Sequence, residues 1–365
     1  MTTWFTADSA DLDAFRAVCE QKTDLTDYPH AIDVAENVLI YPGRLPDTAE
    51  VRGELIRALM DGPGVIVFAG AFAVDVVDRA TAVFAALIAE QKAAGVTAGD
   101  HFAKPGANDR VWGALDKFAL RDPEAFAAYY DNDILALVSN AWLGAGYQVT
   151  SQVNVVNPGG AAQVAHRDYH LGFMSQEQAL RYPAHIHLLS PALTLQGAVA
   201  HVDMPVETGP TLYLPHSQKY PAGYVAFHRP EFTAYFDEHR VQLPLRKGDA
   251  AFFNPAVFHG AGDNHSAAVR RMANLLQISS AFGRAMETVD RTAMVSALYP
   301  VLREHRGNVD NVIAASAEGY AFPTDLDVNQ PVGGLAPRTQ AELVRLALDE
   351  GWPAERFERE LSPAR

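Results

Sequence analysis

Two histidines and one aspartate, in two segments that lie far apart in the sequence, have the residue types and spacing of a metal site. Within residues 163–173, His166 and Asp168 are separated by one residue. On an extended strand, residues two apart point to the same face, so this imidazole and this carboxylate can reach one point together. A further histidine, His259, lies in residues 252–260. Two histidines and one carboxylate form the facial triad of non-haem Fe(II) oxygenases, which leaves coordination positions open.

A pair of arginines follows the downstream histidine. Arg270 lies eleven residues after His259, and Arg271 comes directly after it. A guanidinium can bind both oxygens of a carboxylate, so an arginine beside an iron centre is suited to an organic acid. Neighbouring residues on a strand point to opposite faces, so only one of the two can face the site. The spacing from His259 favours Arg270, and we expect Arg271 to point away.

Other histidines compete for the role of ligand, because the chain contains 13 of them. His185 and His187 are also two residues apart, and His201 and Asp203 form a second His-x-Asp pair. His166 differs in context, because a glycine turn precedes it and a loop follows, which predicts a strand end facing a cavity. From the residues alone these alternatives stay open, as does the absence of any metal.

The elements that must position these residues change in character along the chain. Helical periodicity predicts helices at residues 8–20, 50–60, 75–94, 117–143 with a break near 131–133, 287–305 and 336–348. Alternation, β-branched runs and Gly/Pro turns predict strands at residues 38–41, 65–68, 147–156, 185–189, 193–204, 212–214, 250–254 and 270–280.

Many short strands in the middle of the chain favour a jelly roll over a parallel sheet. We therefore expect a mainly β fold with flanking helices (α+β), in which a double-stranded β-helix of the jelly-roll, cupin-like type is wrapped by N- and C-terminal helices. The whole chain, 1–365, is predicted to be one domain. Its β-helix core covers about residues 60–285, its N-terminal helical flank about 1–60 and its C-terminal helical extension about 286–365.

Composition narrows the class of protein. The net charge is −15, which argues against a chain whose main task is binding nucleic acid or an anionic membrane. The single cysteine, Cys19, excludes a disulfide framework and a thiolate metal cluster within the chain. The acidic N-terminus lacks the pattern of a signal peptide, and no apolar run approaches the length of a membrane span. A cytoplasmic setting, a small-molecule substrate and a homo-oligomer all fit this composition.

Several polar residues are candidates for ligand contacts. Residues 98–113 combine Gly and Pro with His101, Lys104 and Arg110, as loops that line binding sites do, although a plain surface loop would look similar. With Lys104 and Arg110, Arg167 would form a basic patch for an anionic substrate; the alternative is a solvated charged surface. His170 is either a substrate contact, a group behind the metal ligands or an ordinary loop histidine.

One strand carries amides suited to a co-substrate. Gln152 and Asn154 share a face of the strand predicted at residues 147–156, and they are candidates to hydrogen-bond a metal-bound co-substrate. Amides that bond only to neighbouring strands are the alternative.

Four segments together resemble a known family. They are His166-Arg-Asp168 followed by Tyr169-His170, the segment ETGPTLYLPHSQK at 207–219, the segment KGDAAFF at 247–253, and His259-Gly with an arginine eleven residues later. In this order and spacing the chain resembles the phytanoyl-CoA dioxygenase family of Fe(II)/2-oxoglutarate oxygenases over about residues 60–285. The resemblance places His201 and Asp203 on the strand before the 207–211 turn, which is not a ligand position.

The resemblance implies a chemistry for these positions. His166, Asp168 and His259 would bind Fe(II), Arg270 would bind the distal carboxylate of 2-oxoglutarate, and O2 would take the last coordination position. Oxidation, preferably hydroxylation, of an unactivated C–H bond would accompany release of succinate and CO2. Related halogenases replace the carboxylate ligand with a small residue, so Asp168 argues against halogenation. Ala261 stands where some members carry a hydroxyl that helps to bind 2-oxoglutarate.

Two other functions remain as alternatives at this level. One is a cupin-like metal-binding protein without turnover, although it would not need the arginine. The other is a metal enzyme of the same fold that does not use 2-oxoglutarate.

Overall fold

The computed structural model describes residues 2–95, 107–331 and 333–361, in which helices and strands alternate. The helices are α1 Leu12–Cys19, α2 Ala49–Met60, α3 Val74–Ala93, α4 Ala114–Arg121, α5 Pro123–Tyr130, α6 Asp133–Leu143, α7 Gln176–Ala179, α8 Ala184–Ala192, α9 Gly223–Ala226, α10 Pro230–His239, α11 Arg291–Leu302, α12 Val309–Ser316, α13 Gln340–Asp349 and α14 Ala354–Leu361. The strands are β1 Asp33–Ala35, β2 Val38–Pro42, β3 Val65–Ala69, β4 Asn108–Val111, β5 Gln148–Val156, β6 Thr194–Ala200, β7 Leu212–Leu214, β8 Val241–Gln242, β9 Ala250–Phe253, β10 Phe258–Gly260 and β11 Arg271–Ser279.

The strands form two sheets. Eight of them pair in the order β1-β2-β3-β9-β6-β11-β5-β4, and three pair in the order β10-β7-β8. Among the described strands of the large sheet, only β2 and β3 run parallel. A bridge between His166 and His259 adds the segment around His166 to the edge of the small sheet beside β10.

The two faces of the large sheet have different neighbours. Alternate side chains of its strands join the main hydrophobic core with the helices, and these include Val149, Val153, Leu195, Val199, Phe252, Met272, Leu276 and Ile278. The intervening side chains face a cavity that residues of the small sheet also line, among them Tyr213 and His259. The helices therefore cover one face, and the chemistry-bearing residues gather on the other.

Most of the predicted elements are confirmed, and three expectations need correction. Residues 185–189 belong to helix α8, because Ala184, His187 and Ser190 are buried at helical spacing while the residues between them are not. The helix predicted at 117–143 is broken at Asp122 as well as near Asn132, since both residues cap a following helix. The helices hold more residues than the strands, so the fold is α+β rather than mainly β.

The N-terminal flank is not purely helical, because β1 and β2 extend the large sheet at one edge. Among the described residues, no helix is long and apolar enough to cross a bilayer.

Candidate active site

The small sheet brings the three predicted ligands together. The backbone N–H of His166 donates to the carbonyl of His259 over 3.0 Å, and the reverse bond measures 3.1 Å. One ligand atom from each of His166, Asp168 and His259 lies within 4.8 Å of the others. Nε2 of His166 is 3.7 Å from Oδ1 of Asp168, and Nε2 of His259 is 3.4 Å from its Oδ2.

Both imidazoles are held in the orientation that metal binding requires. Nδ1 of His166 lies 2.9 Å from the carbonyl oxygen of Val164, and Nδ1 of His259 lies 2.9 Å from that of Val257. A carbonyl only accepts, so Nδ1 carries the proton in each ring. The Nε2 lone pairs therefore point to the common site, which is the arrangement of metal-binding histidines.

Asp168 is held as a charged acceptor. Burial acts to raise the pKa of its carboxyl, but His166, His259 and a hydrogen bond from Nε2 of Gln196 outweigh burial and hold the pKa below its usual range. Its carbonyl oxygen accepts from the hydroxyl of Tyr224 over 3.1 Å. Two imidazoles with Nε2 directed to one point and one carboxylate suit a divalent cation with open positions.

The triad opens into a cavity of about 420 Å³. Part of its lining comes from the segments around β6, β7 and the start of β11, and these residues are Met204, Pro210, Thr211, Tyr213, Leu245, Ala261 and Arg271. The lining also contains Arg110, Trp112, Asn154, Phe173, Gln277 and Met286. Two arginine side chains, those of Arg110 and Arg271, therefore line the cavity.

The structure reverses the expected orientation of the two arginines. Arg271 is 7% exposed and lines the cavity, and in the described part of the chain its side chain has no hydrogen bond or ion pair. Burial lowers the pKa of Arg271 to about 10. The side chain of Arg270 is 57% exposed, and its Nη2 lies 2.8 Å from Oδ2 of Asp109. The expectation that Arg270 faces the site is wrong, because β11 pairs Arg271 with Val156 and so turns Arg271 inward.

The predicted co-substrate amides share the cavity face of β5. Asn154 lines the cavity, and its Oδ1 is buried without a hydrogen-bond partner among the described residues. Gln152 is fully buried, and its Oε1 accepts from the guanidinium of Arg110. Arg110 lines the cavity and lies over Trp112, with Cζ 4.2 Å from the ring centroid.

The remaining substrate candidates divide into three cases. Arg167 is only 2% exposed and points into a separate apolar cluster, so it does not belong to a basic patch at the cavity. A residue between two ligands on a strand must point to the face opposite theirs. His170 bonds through Nδ1 to the hydroxyl of Ser190 over 3.3 Å and is not among the residues that line the cavity. His101 and Lys104 lie outside the described residues.

The competing histidines have structural contacts instead. His201 is buried between the hydroxyls of Thr81 and Tyr129, at 2.8 and 3.0 Å. His187 lies on α8 and bonds to the carbonyl of Ala179. Cys19 is buried on α1, and burial raises the pKa of its thiol to about 12, so this thiol is not activated.

Sequence reasoning missed several residues of the site. Gln196 contacts the carboxylate ligand, and Thr211, Tyr213 and Met286 line the cavity. A signal existed for Gln196, which interrupts the otherwise apolar residues 195–200 in the centre of the sheet. Met286 lies outside the strands, where alternation gives no guide, whereas Trp112, which also lines the cavity, lies within residues 98–113, which the sequence predicts to line a binding site.

Comparison with known proteins identifies the family. The model of the phytanoyl-CoA dioxygenase (PhyH) family matches residues 60–272, which is more than half of the chain. A comparison with curated proteins gives no match. Similar solved structures include the non-haem α-ketoglutarate-dependent epimerase SnoN from nogalamycin biosynthesis, with 18% identity, 74% of this chain and 82% of that chain covered, and a TM-score of 0.41.

Two further structures resemble the chain at a similar level. The non-haem α-ketoglutarate-dependent carbocyclase SnoK, also from nogalamycin biosynthesis, shows 21% identity, 64% and 84% coverage of the two chains and a TM-score of 0.45. HygX from Streptomyces hygroscopicus, solved with nickel and 2-oxoglutarate, shows 15% identity, 67% and 91% coverage and a TM-score of 0.42. Similarity at this level does not transfer an activity, and the family match carries the assignment. The chain belongs to the phytanoyl-CoA dioxygenase family.

Proposed function

We propose that the protein is an Fe(II)- and 2-oxoglutarate-dependent oxygenase that oxidises an unactivated C–H bond of a small organic substrate. The observation that carries this proposal is the combination of a His-Asp-His donor set with a buried arginine lacking an acidic partner among the described residues, both facing one cavity. A buried guanidinium is costly unless an anion pairs with it. A dicarboxylic co-substrate with one end on the metal and the other on Arg271 would supply that anion.

The fold supports the same class. The small sheet, extended by the segment that carries His166, faces the large sheet across the cavity, and side chains from both line it. We assign these two sheets to a double-stranded β-helix of the jelly-roll type. The helices that pack on the outer face of the large sheet would then be the flanks of one oxygenase domain.

His166, Asp168 and His259 would hold Fe(II) and leave three positions open. Iron, 2-oxoglutarate and O2 together supply the oxidising chemistry, in which the co-substrate is converted to succinate and CO2. The protein contributes a fixed donor set and a cavity that limits water. Because Asp168 occupies the carboxylate position, hydroxylation or a related oxidation is favoured over halogenation.

The distal carboxylate of 2-oxoglutarate would bind Arg271 and nearby hydroxyl groups. Thr211 and Tyr213 of the β7 segment line the same cavity, and Tyr213 lies opposite His259 in the register of β7 and β10. Burial raises the pKa of the Tyr213 phenol, so it stays a neutral donor. These hydroxyls would replace the one that Ala261 lacks.

The substrate would lie against the β4 side of the cavity. Trp112, Phe173 and Met286 offer apolar surface, while Asn154 and Arg110 offer an acceptor and donors. This lining suits a small organic molecule with an apolar body and a polar or anionic group that reaches Arg110.

Succinate formation tests the proposal. Protein purified without oxygen is given Fe(II), 2-oxoglutarate and air, and the succinate formed is compared with that formed by His166→Ala. Succinate that depends on His166 and on added 2-oxoglutarate is expected. Wild-type protein that binds Fe(II) but neither binds nor consumes 2-oxoglutarate would show instead a metal enzyme of another type or a metal-binding protein without turnover.

A further inference from the structure

A buried arginine lies directly between two of the metal ligands in the sequence. Arg167 separates His166 from Asp168, and its side chain points to the opposite face of the segment, into an apolar cluster that contains Phe15, Tyr220, Tyr224 and Phe258. It is only 2% exposed, and no carboxylate pairs with it among the described residues. Burying an unpaired cation among apolar side chains is unfavourable for folding, so its hydrogen bonds and ring contacts must offset this cost.

The contacts of Arg167 lead back to both ligand segments. Its Nη2 donates to the carbonyls of Ser217, over 2.5 Å, and Tyr220, over 3.1 Å. Its Cζ lies 5.1 Å from the ring centroids of both Tyr224 and Phe258. Phe258 directly precedes the ligand His259. The hydroxyl of Tyr224 donates to the backbone carbonyl of Asp168 over 3.1 Å.

A second connection runs through the 215–219 segment. Oγ of Ser217 accepts from the backbone N–H of Phe258 over 2.8 Å, while the carbonyl of the same serine accepts from Arg167. The guanidinium therefore fixes a turn that in turn fixes the strand of His259. The guanidinium of Arg167 packs tightly against Gly223, because a Cβ on that residue would lie 1.8 Å from Cζ of Arg167.

We propose that Arg167 is a positioning residue that joins the His166–Asp168 segment to the strand of His259 and so sets the geometry of the metal site from behind. This inference rests on the proposed metal site and deepens it. Side chains that orient metal ligands without touching the metal typically contribute about 10- to 100-fold to metal affinity. Lysine would keep the charge but lacks the planar guanidinium that contacts the rings of Tyr224 and Phe258.

The test compares Arg167→Lys and Arg167→Gln with a matched control, Arg291→Gln. Arg291 is also buried and also donates to backbone carbonyls, those of Val149, Ala315 and Ser316, but these lie on β5 and at the end of α12 rather than on a segment that carries a metal ligand. Metal affinity is measured by anaerobic titration with Fe(II) and with Co(II), whose ligand-field absorption also reports the geometry of the bound ion. Thermal unfolding of each metal-free protein separates lost stability from lost affinity.

We expect both Arg167 variants to bind Fe(II) about 10- to 100-fold more weakly, with an altered Co(II) spectrum. Arg291→Gln should lose stability but keep the wild-type affinity and spectrum. The inference is overturned if the Arg167 variants lose stability as Arg291→Gln does while their metal affinity stays within about twofold of wild type.

A milder variant covers the case in which the Arg167 variants do not fold. Ser217→Ala removes only the hydroxyl between the turn and Phe258, and we expect it to weaken metal binding measurably while the protein stays folded. An unchanged affinity in this variant contradicts the proposed linkage. If the wild-type protein itself binds neither Fe(II) nor Co(II), the proposed function fails rather than the role of Arg167.

Discussion

The role of Arg271 can be tested with its neighbour as the control. Arg271→Met removes the guanidinium that faces the cavity and keeps an unbranched apolar side chain, whereas Arg270→Met removes a half-exposed guanidinium that pairs with Asp109 outside the cavity lining. The two residues are adjacent and chemically identical. A difference between the two variants therefore reports the direction in which each side chain points.

The expected loss of affinity for 2-oxoglutarate follows from the hydrogen bonds that the buried Arg271 would make to a carboxylate. Hydrogen bonds to charged groups contribute about 1.5–3 kcal/mol, and each 1.4 kcal/mol corresponds to a factor of ten in affinity. Arg271→Met should therefore raise the dissociation constant for 2-oxoglutarate about 10- to 150-fold. Arg270→Met should leave it within about twofold, because Arg270 does not line the cavity and cannot contact the bound co-substrate.

Calorimetric titration of the anaerobic Fe(II) protein measures these constants. The same titration with 2-oxopentanoate, which lacks the distal carboxylate, shows whether the arginine acts on that group. Wild-type protein should prefer 2-oxoglutarate strongly, and Arg271→Met should lose most of this preference. If Arg271→Met still prefers 2-oxoglutarate over 2-oxopentanoate, or if Arg270→Met loses this preference, Arg271 is not the residue that binds the distal carboxylate.

Arg271→Met should weaken 2-oxoglutarate binding without destabilising the protein that lacks 2-oxoglutarate. Without 2-oxoglutarate, Arg271 is a buried cation with no acidic partner among the described residues, so Arg271→Met should unfold at the same temperature as wild type or higher. Adding 2-oxoglutarate should raise the unfolding temperature of the wild-type protein and have little effect on the variant. Marked destabilisation by Arg271→Met would indicate a structural role for this side chain.

Two further predictions concern groups around the site and in the core. Gln196→Leu removes the hydrogen bond to Asp168 at nearly constant volume, so Fe(II) should bind about tenfold more weakly in anaerobic titrations, and an unchanged affinity would show that Gln196 does not orient this ligand. Burial lowers the pKa of His201 from 6.5 to about 3, so below pH 6.5 the unfolded chain binds a proton at this histidine that the folded chain does not. The free energy of unfolding contributed by this group is thus complete above about pH 6.5 and falls as the solution is acidified, by about 2 kcal/mol at pH 5. Denaturant unfolding at pH 8 and pH 5 should show that His201→Gln loses less stability on acidification than wild type does, and an equal loss in both would contradict a neutral, buried His201.

Two of the three triad residues could be predicted together because their geometry is local. His166 and Asp168 share a face through strand alternation alone, and the position of His166 between a glycine turn and a loop favoured this pair over the others. His201 could not be dismissed from its spacing. What excludes it is the pair of hydroxyls from Thr81 and Tyr129, which come from distant helices and leave no sign near His201 in the sequence.

The two arginines show what alternation cannot decide. It predicts that Arg270 and Arg271 point to opposite faces, but not which of them faces the cavity. Strand pairing decides this, and the sequence did contain a clue. Met272, Leu276 and Ile278 are large apolar side chains at even-numbered positions of β11 and belong to the core with the helices, which leaves the odd-numbered positions, including Arg271, to face the cavity beside Ala273 and Leu275. The spacing from His259, which favoured Arg270, contains no information about this alternation.

Strand alternation also predicts the direction of Arg167, which lies on the face opposite to the metal ligands. A charged residue between two metal ligands looks like part of a binding surface when charge alone is considered. Alternation, however, places it on the face opposite to that of its neighbours, and a segment whose ligand face meets a cavity has its other face against protein. Arg167 therefore had to be buried wherever a cluster packs behind the metal site, as that of Tyr224 and Phe258 does. The physical rule that predicted the ligands thus also predicts that the residue between them supports the site from inside the fold.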